Sequence, residues 1–193
     1  MRIEYDINSS DPKVYPVELI AEQLDVLEAR SLWEKKEKQI TGLITGCFDI
    51  LHTGQVEFLR RAKGVVDTLV VGVDRDDTVA LKGPGRPVFD LKQRCEMLAA
   101  LDSVDLVFPI PFVLKAYEET SDSVTMYEEL TKKLFNLTLP TTGVHLLISN
   151  EFTDQFWQEK ARRADRLGIS YWGLKMKRPT SSTEVVLKIQ SGY

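Results

Sequence analysis

The sequence is poor in cysteine and histidine, with two of each among 193 residues. Cys47 and Cys95 are too few for the disulfide framework of a small secreted protein or for a structural zinc site. No apolar run approaches the ~18 residues that a transmembrane helix needs. The first residues lack the apolar core of a secretory signal peptide. These absences predict a protein of the reducing cytoplasm that does not enter a membrane.

The sequence also lacks an excess of basic residues. Lysine and arginine number 25 against 29 aspartate and glutamate residues, which gives a formal net charge of −4. A general nucleic-acid surface usually has the opposite balance. Hydrophobic residues make up 43% and charged residues 28%, the composition of an ordinary globular protein with a continuous core. We therefore expect no nucleic-acid partner.

Residues 1–40 differ from the rest, and we expect an N-terminal helical extension there, followed by one domain over residues 41–193. Apolar residues recur in the extension at the three- and four-residue steps of an amphipathic helix. They are Val17, Ile20, Leu24 and Leu27. This helix either packs on the domain that follows or binds a partner. Its charged opposite face favours the first alternative, because charged faces are mostly solvated.

From residue 40 onward, short apolar runs alternate with stretches of helical period. The run Thr68–Val73 is apolar almost throughout, which is typical of a strand covered on both faces. Similar runs predict strands at Leu43–Thr45, Asp105–Phe108, Val144–Ile148 and Ile169–Leu174. Helices are predicted from Thr53 to Gly64, from Asp90 past Leu101, over 114–134, over 153–167 and from Ser181. This alternation predicts an α/β fold, a Rossmann-like parallel sheet of about five strands flanked by helices.

The most informative segment follows the first predicted strand. It reads Gly-Cys-Phe-Asp-Ile-Leu-His-Thr-Gly-Gln over residues 46–55, and we call it the signature loop. Ligands of parallel sheets bind beyond the carboxyl ends of the strands. The helix that starts near Thr53 offers unpaired N–H groups to an anion, and Gly54 lets a phosphate approach the backbone closely. His52 could donate hydrogen bonds to that phosphate, although a single histidine before a helix is more often structural.

Two further segments contain groups suited to phosphate. Lys82 and Arg86 belong to a loop rich in glycine and proline, and Arg94 follows in the next helix. That loop could equally be a solvated connector. Ser181-Ser182-Thr183-Glu184 has the spacing of a capping box at the start of the last helix. If these segments converge on the signature loop, they would supply the electrostatic stabilisation on which phosphate chemistry mostly depends.

The three segments, in this order, resemble the cytidylyltransferase-like nucleotidyltransferase superfamily. That superfamily's loop reads Gly-x-Phe-Asp followed by His-x-Gly-His, which the signature loop matches except at its last residue. Lys82-Gly83 with Arg86-Pro87-Val88 and Gln93-Arg94 is most similar to the heptose-phosphate adenylyltransferase branch, with glycerol-3-phosphate cytidylyltransferase more distant. The resemblance is close over residues 42–108, looser over 144–189 and absent from residues 1–40.

The resemblance implies transfer of a nucleoside monophosphate from ATP or CTP to a small phosphorylated metabolite, with release of pyrophosphate. It implies the catalytic residues His52, Lys82 and Gln55. It implies nucleotide contacts by Gly46, Cys47, Phe48, Asp49, Gly54, Arg178, Thr180, Ser181, Ser182 and Thr183. Arg86 and Arg94 would support the loop or bind the substrate phosphate. Mg2+ would accompany the triphosphate, held by its oxygens and by water rather than by a protein site. Homodimers are common in this family.

The main departure from the family is Gln55, which replaces the second histidine of the motif. Glutamine donates a hydrogen bond through its amide but cannot become positively charged. Charge-assisted hydrogen bonds are roughly twice as strong as neutral ones. One alternative is therefore a nucleotide-binding regulatory module with lost or weak catalysis. If Gln55 only positions the triphosphate, little activity is lost.

A second departure follows the fourth predicted strand. Residues 148–152 read Ile-Ser-Asn-Glu-Phe, whereas the heptose branch has Lys-Gly-Gly-Asp-Tyr. Neither adenine nor a heptose phosphate can therefore be inferred as a substrate from the resemblance alone. A dehydrogenase-like dinucleotide binder is disfavoured, because no Gly-x-Gly-x-x-Gly follows the first strand.

Overall fold

In the computed structural model, the described residues are 12–17, 19–20, 23, 40–113, 129–130, 143–149, 165, 170–174 and 181–192. For residues 143–149 only the backbone is described. The helices predicted over 114–134 and 153–167 lie outside the described residues, apart from isolated helical positions at 129, 130 and 165. Four further predicted residues also lie outside them. They are Leu24, Leu27, Arg178 and Thr180.

Five strands form one sheet in the described part of the chain. Their bounds are Ile40–Gly46 (β1), Thr68–Val73 (β2), Leu106–Pro109 (β3), Gly143–Ser149 (β4) and Ser170–Leu174 (β5). They lie in the order β3-β2-β1-β4-β5, and each neighbouring pair is parallel. The predicted α/β fold with a parallel sheet flanked by helices is thereby confirmed.

In the described part of the chain, four continuous helices lie between or after these strands. Their bounds are Thr53–Lys63 (α1), Asp76–Ala80 (α2), Leu91–Ala99 (α3) and Ser182–Gln190 (α4). The five-residue helix α2 was not predicted, because it is too short to show a helical period. Helix α3 begins with the predicted capping box, in which the Asp90 carboxylate accepts from the Gln93 amide at 2.8 Å. None of the helices among the described residues is long and apolar enough to cross a membrane.

Strand β2 is packed closely on both sides. All six of its residues are buried, as its apolar sequence predicts. At Gly72 an added Cβ would lie 2.8 Å from Phe108 Cζ and 3.1 Å from Thr45 Cγ2. Only glycine therefore allows the neighbouring strands to approach this closely. The result is a rigid sheet centre beneath the carboxyl ends of β1 and β2.

The order of the strands locates the site. Residue Gly46 at the end of β1 is level with Val73 at the end of β2, while β1 pairs with β4 on its other side. The chain thus proceeds from β1 in one direction to β2 and β3, and in the other direction to β4 and β5. Ligands of open parallel sheets bind at this reversal, outside the carboxyl ends of the strands. The signature loop begins there.

The described N-terminal residues pack on the sheet. Tyr15 N donates to Val107 O at 3.0 Å, and Val107 N donates to Lys13 O at 2.8 Å, so this segment covers the outer edge of β3. Val17 is 5% exposed and Ile20 fully buried in the apolar cluster on one side of the sheet. These contacts favour the packing alternative over a partner-binding helix. The domain boundary at residue 40 stays a prediction.

We predict that Ile20→Ala lowers the free energy of unfolding by about 2–5 kcal/mol, because it leaves a cavity in the core. The neighbouring Leu19 is 42% exposed and provides a matched control. Leu19→Ala should change stability by less than about 1 kcal/mol. Urea unfolding followed by circular dichroism measures both. Equal small effects at the two positions would show that the segment does not pack as described.

Candidate functional site

The signature loop leaves β1 through a strained residue. Phe48 has a φ of +49°, in the left-handed region, which costs a residue with a side chain roughly 1–2 kcal/mol. Its ring is buried in the core, and this burial offsets the cost. A Cβ added at Gly46 would lie 3.3 Å from Phe48 Cε2, so a side chain there would displace the ring. Backbone outliers of this kind concentrate at functional sites.

Helix α1 begins immediately after the turn, with His52 as its N-cap residue in extended conformation. The His52 carbonyl accepts from the backbone N–H groups of Gln55 at 2.9 Å and Val56 at 3.1 Å. The amides of Thr53 and Gly54 precede these bonds and belong to the open end of the helix. Gly54 is buried and has no Cβ that would lie between this backbone and a ligand. A helix start of this kind can bind an anion.

The side chain of Gln55 is part of this helix start. Its Oε1 accepts from the backbone N–H of His52 at 3.3 Å, the return bond of a capping box. The acceptor end of the amide is thus used within the protein, and the donor end is directed away from that bond. Gln55 consequently serves the backbone and keeps a donor group at the mouth of α1.

Cys47 links the loop to the end of β2. Its Sγ donates to Asp74 Oδ2 at 3.0 Å, and Asp74 N donates to Gly46 O at 3.0 Å. Burial, together with the negative charge of Asp74, raises the pKa of the Cys47 thiol to about 12. The Lys82 ammonium group opposes this rise, because it lies close to the thiol. The fold therefore brings Lys82 to the signature loop, as the sequence interpretation requires.

The last helix reaches the same loop. Ser182 Oγ donates to Ile50 O at 3.2 Å, across 132 residues of sequence. Ser181 caps the helix by accepting from Glu184 N at 3.2 Å, and Glu184 Oε2 accepts from Ser181 N at 2.7 Å, which confirms the predicted capping box. Thr183 is exposed at this helix start. A second helix N-terminus thus lies beside the first.

Asp49 has a different place from the predicted one. Its side chain is 1% exposed, and Oδ1 accepts from Val88 N at 2.7 Å and Phe89 N at 3.2 Å. Its Oδ2 lies 2.9 Å from Arg86 Nε. A direct contact between this carboxylate and a nucleotide does not fit such burial. Asp49 instead binds residues 82–89, which we call the basic loop.

Arg86 has one donor for which the described part of the chain supplies no acceptor. Its side chain is 10% exposed, and this donor, Nη1, is buried. Buried donors without partners are costly and rare in folded proteins. Because this group adjoins Asp49 of the signature loop, a ligand oxygen that reached it would relieve the cost. Arg86 thus stays a candidate for binding the substrate phosphate.

Arg94 does not fit the predicted role of contacting substrate. Its side chain is fully buried, and three of its N–H groups donate within the protein. The acceptors are Cys47 O at 2.6 Å, Asp76 Oδ1 at 2.7 Å and Phe89 O at 3.0 Å. No surface of the guanidinium is left for a ligand. Of its two predicted roles, support of the loop is the one that this geometry fits.

Two acidic residues of the site were missed in the sequence. Asp74 binds the Cys47 thiol, and Asp76 binds Arg94. Both come shortly after the apolar run of β2, at the end of the sheet where ligands bind. An aspartate directly after a buried strand was an available signal for Asp74. Asp76 had none, because its partner lies 18 residues later on another helix.

We predict that neither thiol reacts readily in the folded protein. The pKa of Cys95 is also raised to about 12, chiefly by burial, so at pH 8 about one thiol in ten thousand would be ionised. Ellman's reagent at pH 8 should therefore label both cysteines only after unfolding in urea. Cys47→Ser, which leaves Cys95 alone, assigns any signal. Rapid labelling of native Cys47 would contradict its raised pKa.

Comparison with known proteins agrees with the motifs. The sequence profile described as cytidylyltransferase-like matches residues 43–186, about three quarters of the chain. The chain is similar to the bifunctional protein HldE of Nitrobacter hamburgensis, with 49% identity over 92 residues. This match covers 47% of the present chain and 19% of the relative. The HldE of Helicobacter pylori is 38% identical over 102 residues, which cover 52% of this chain and 20% of the relative. The matched region is thus about one fifth of these relatives.

Solved structures show the same fold at lower identity. A bifunctional NMN adenylyltransferase/ADP ribose pyrophosphatase from Francisella tularensis has a TM-score of 0.56 and 16% identity, covering 80% of this chain and 42% of that one. Pantothenate synthetase from Thermus thermophilus has a TM-score of 0.55 and 19% identity, covering 93% and 69%. At these identities the likeness concerns the fold alone. Because the profile spans most of the chain and contains the signature loop, the protein belongs to the cytidylyltransferase-like family.

Proposed function

We propose that this protein is a nucleotidyltransferase that transfers a nucleoside monophosphate from a nucleoside triphosphate to a small phosphorylated metabolite and releases pyrophosphate. The observation that best supports this is the bond from Ser182 Oγ to Ile50 O. It joins the N-terminus of α4 to the loop that opens α1, so two helix ends face one place. Two helix N-termini together favour a polyanion more than either alone.

We assign different parts of the triphosphate to different residues of the site. His52 and the open amides at Thr53 and Gly54 contact the α and β phosphates. The positive charge of Lys82 lies next to the same phosphates, and Ser181–Thr183 hold the β and γ phosphates. In the reaction an oxygen of the substrate phosphate attacks the α-phosphorus while the bond to pyrophosphate breaks. Little covalent work is left to the protein, so positioning and charge stabilisation provide the catalysis.

We propose a phosphorylated sugar as the acceptor. The HldE relatives and the Lys82–Val88 resemblance to the heptose-phosphate adenylyltransferase branch support this class. Arg86, with its buried donor beside the signature loop, is the proposed contact to the acceptor phosphate. The assay described below distinguishes adenine from cytosine as the nucleotide base. We further propose that the transferase domain spans residues 41–193, with residues 1–40 as its N-terminal extension.

A divalent cation such as Mg2+ fits this site only as a companion of the triphosphate. Among the described residues, no group of three His, Cys, Asp or Glu side chains is placed to hold a metal ion. Asp49 and Asp74 both use their carboxylates on protein groups. Mg2+ typically binds through phosphate oxygens and water, with few protein ligands. When bound, it would neutralise charge on the triphosphate, while the chain orients the phosphates.

We predict pyrophosphate release in a panel of ATP, CTP, GTP and UTP with sugar, polyol and aminoalcohol phosphates in the presence of Mg2+. Sugar phosphates with ATP or CTP should give the strongest signal. His52→Ala should lower kcat/KM by at least about a hundredfold, because a charge-stabilising donor is lost. Glu57→Gln, a change on α1 at a half-exposed side chain that pairs with Arg61, serves as the control. No release from folded protein with any pair would contradict the proposal.

Variants of Gln55 test how the replacement of the motif histidine by glutamine affects binding and turnover. Gln55→Glu keeps an acceptor for His52 N but adds negative charge, so triphosphate binding should weaken about tenfold or more. Gln55→His restores the family residue but loses the return bond of the cap. If turnover is limited by the missing charge, it should rise about tenfold in this variant. Calorimetry and pyrophosphate release measure the two effects.

These variants also separate an enzyme from a binding module. A module would bind ATP or CTP in calorimetry without releasing pyrophosphate, and Gln55→His would then be the variant to gain turnover. The comparisons do not favour this alternative. Measurable turnover of the unmodified chain would exclude it.

A further inference from the structure

Two buried side chains of opposite charge connect the signature loop to the basic loop. Asp49 belongs to the signature loop and accepts from two amides of the basic loop, those of Val88 and Phe89. Arg94 lies on α3 and donates to Cys47 O in the signature loop and to Phe89 O in the basic loop. Both side chains are essentially inaccessible to solvent, at 1% and 0% exposure.

Residue Phe89 is therefore held from both sides. Its N–H donates to the Asp49 carboxylate at 3.2 Å, and its carbonyl accepts from Arg94 Nε at 3.0 Å. Arg94 Nη1 returns to Cys47 O at 2.6 Å, two residues before Asp49. These contacts close a ring that runs from one loop to the other and back. We call this ring the clasp, and it consists of Cys47, Asp49, Phe89 and Arg94.

The other end of the basic loop is built differently. Gly83 and Gly85 have φ values of +133° and +73°, and a Cβ at either would meet no atom of the described residues within 4 Å. Lys82 is exposed at this end. The described contacts thus fasten the loop at residues 86–89. The position of Lys82 depends on α2 at one end and on the clasp at the other.

Stability alone is a weak explanation for the clasp. A buried ion pair often adds little net stability, because desolvation offsets its attraction. Here Arg94 binds carbonyl groups of both loops, while Asp49, itself part of the signature loop, binds two amides of the basic loop. Each also has one partner of opposite charge, Asp76 for Arg94 and Arg86 for Asp49. The arrangement determines where the loops lie relative to each other. Enzymes need such supporting groups, since a displacement of about 1 Å can cost a hundredfold in rate.

We propose that Arg94 and Asp49 are positioning residues. They hold the basic loop against the signature loop, so that Lys82 and His52 can contact the same triphosphate. The inference rests on the proposed function only for the identity of that ligand. The attachment of one loop to the other through Phe89 does not depend on the proposed function. Neither residue touches the ligand.

The first arm of the test uses no ligand. Hydrogen exchange followed by mass spectrometry compares the unmodified chain with Arg94→Lys and the isosteric Asp49→Asn. Exchange should rise about tenfold or more in peptides covering residues 82–89 and 46–52, while β2 keeps its protection. Asp77→Asn is the matched control, because Asp77 neighbours the Arg94 partner Asp76 but binds Arg75 instead. Exchange that rises equally throughout the sheet would overturn the proposal.

The second arm is a double-mutant cycle with calorimetry, using ATP and CTP as the probes. In the unmodified background, Lys82→Ala should weaken binding about tenfold. In the Asp49→Asn or Arg94→Lys background, the same change should weaken it less than about threefold, because Lys82 is no longer held in place. If Lys82→Ala weakens binding equally in both backgrounds, the changes are additive and the positioning role is wrong. A purely structural role lowers stability without changing this coupling.

The two arms distinguish the possible failures. If the unmodified chain binds neither probe, the proposed function fails and the exchange arm alone decides whether the clasp fastens the loops. If it binds a probe but the cycle is additive, the proposed function stands and the positioning role fails. If Arg94→Lys does not fold, Asp49→Asn supplies both arms, because it preserves side-chain volume and one acceptor.

Discussion

The buried guanidinium of Arg94 is the interaction on which the geometry of the candidate site depends. An unpaired charge in the core would cost several kcal/mol, so the guanidinium must keep its acceptors. Those acceptors belong to the signature loop, to the basic loop and to the start of α2. None of the three segments can move away without leaving a buried N–H group of the guanidinium without its acceptor. Asp49 imposes the same requirement with the opposite sign. The site is therefore held by the cost of breaking these contacts.

The proposed anion site of this acidic protein depends on local arrangement. A net charge of −4 offers no general attraction for a triphosphate. The bond between Ser182 and Ile50 nevertheless brings a second helix N-terminus to the first, and Lys82 lies close to the Cys47 thiol. Helix dipoles and nearby cations act over short distances and are screened beyond about 10 Å. A small region of positive potential can thus exist on a molecule whose overall charge has the opposite sign.

Gln55 shows how a departure from a family motif can be structurally consistent. Its amide accepts from His52 N and completes the capping box of α1. The side chain thus supports the residue with the strongest functional resemblance. Its donor end is still a neutral group, and that limits how much charge it can stabilise. The hydrogen bond explains why glutamine fits this position in the fold.

The sequence by itself determined the features that depend on neighbouring residues. The apolar run of β2, the capping boxes at Asp90 and Ser181 and the helix that starts at Thr53 were predicted because period and cap chemistry act within a few residues. The role of Asp49 was not predicted, and that of Arg94 was left open between loop support and substrate binding, because in a sequence a buried arginine looks the same as an exposed one. Only the tertiary structure brought Phe89 between them and Ser182 to Ile50, through contacts that span 5 to 132 residues. The physical reason is that burial and long-range pairing are properties of the folded chain, and they decided which charged residues support the site and which can face a ligand.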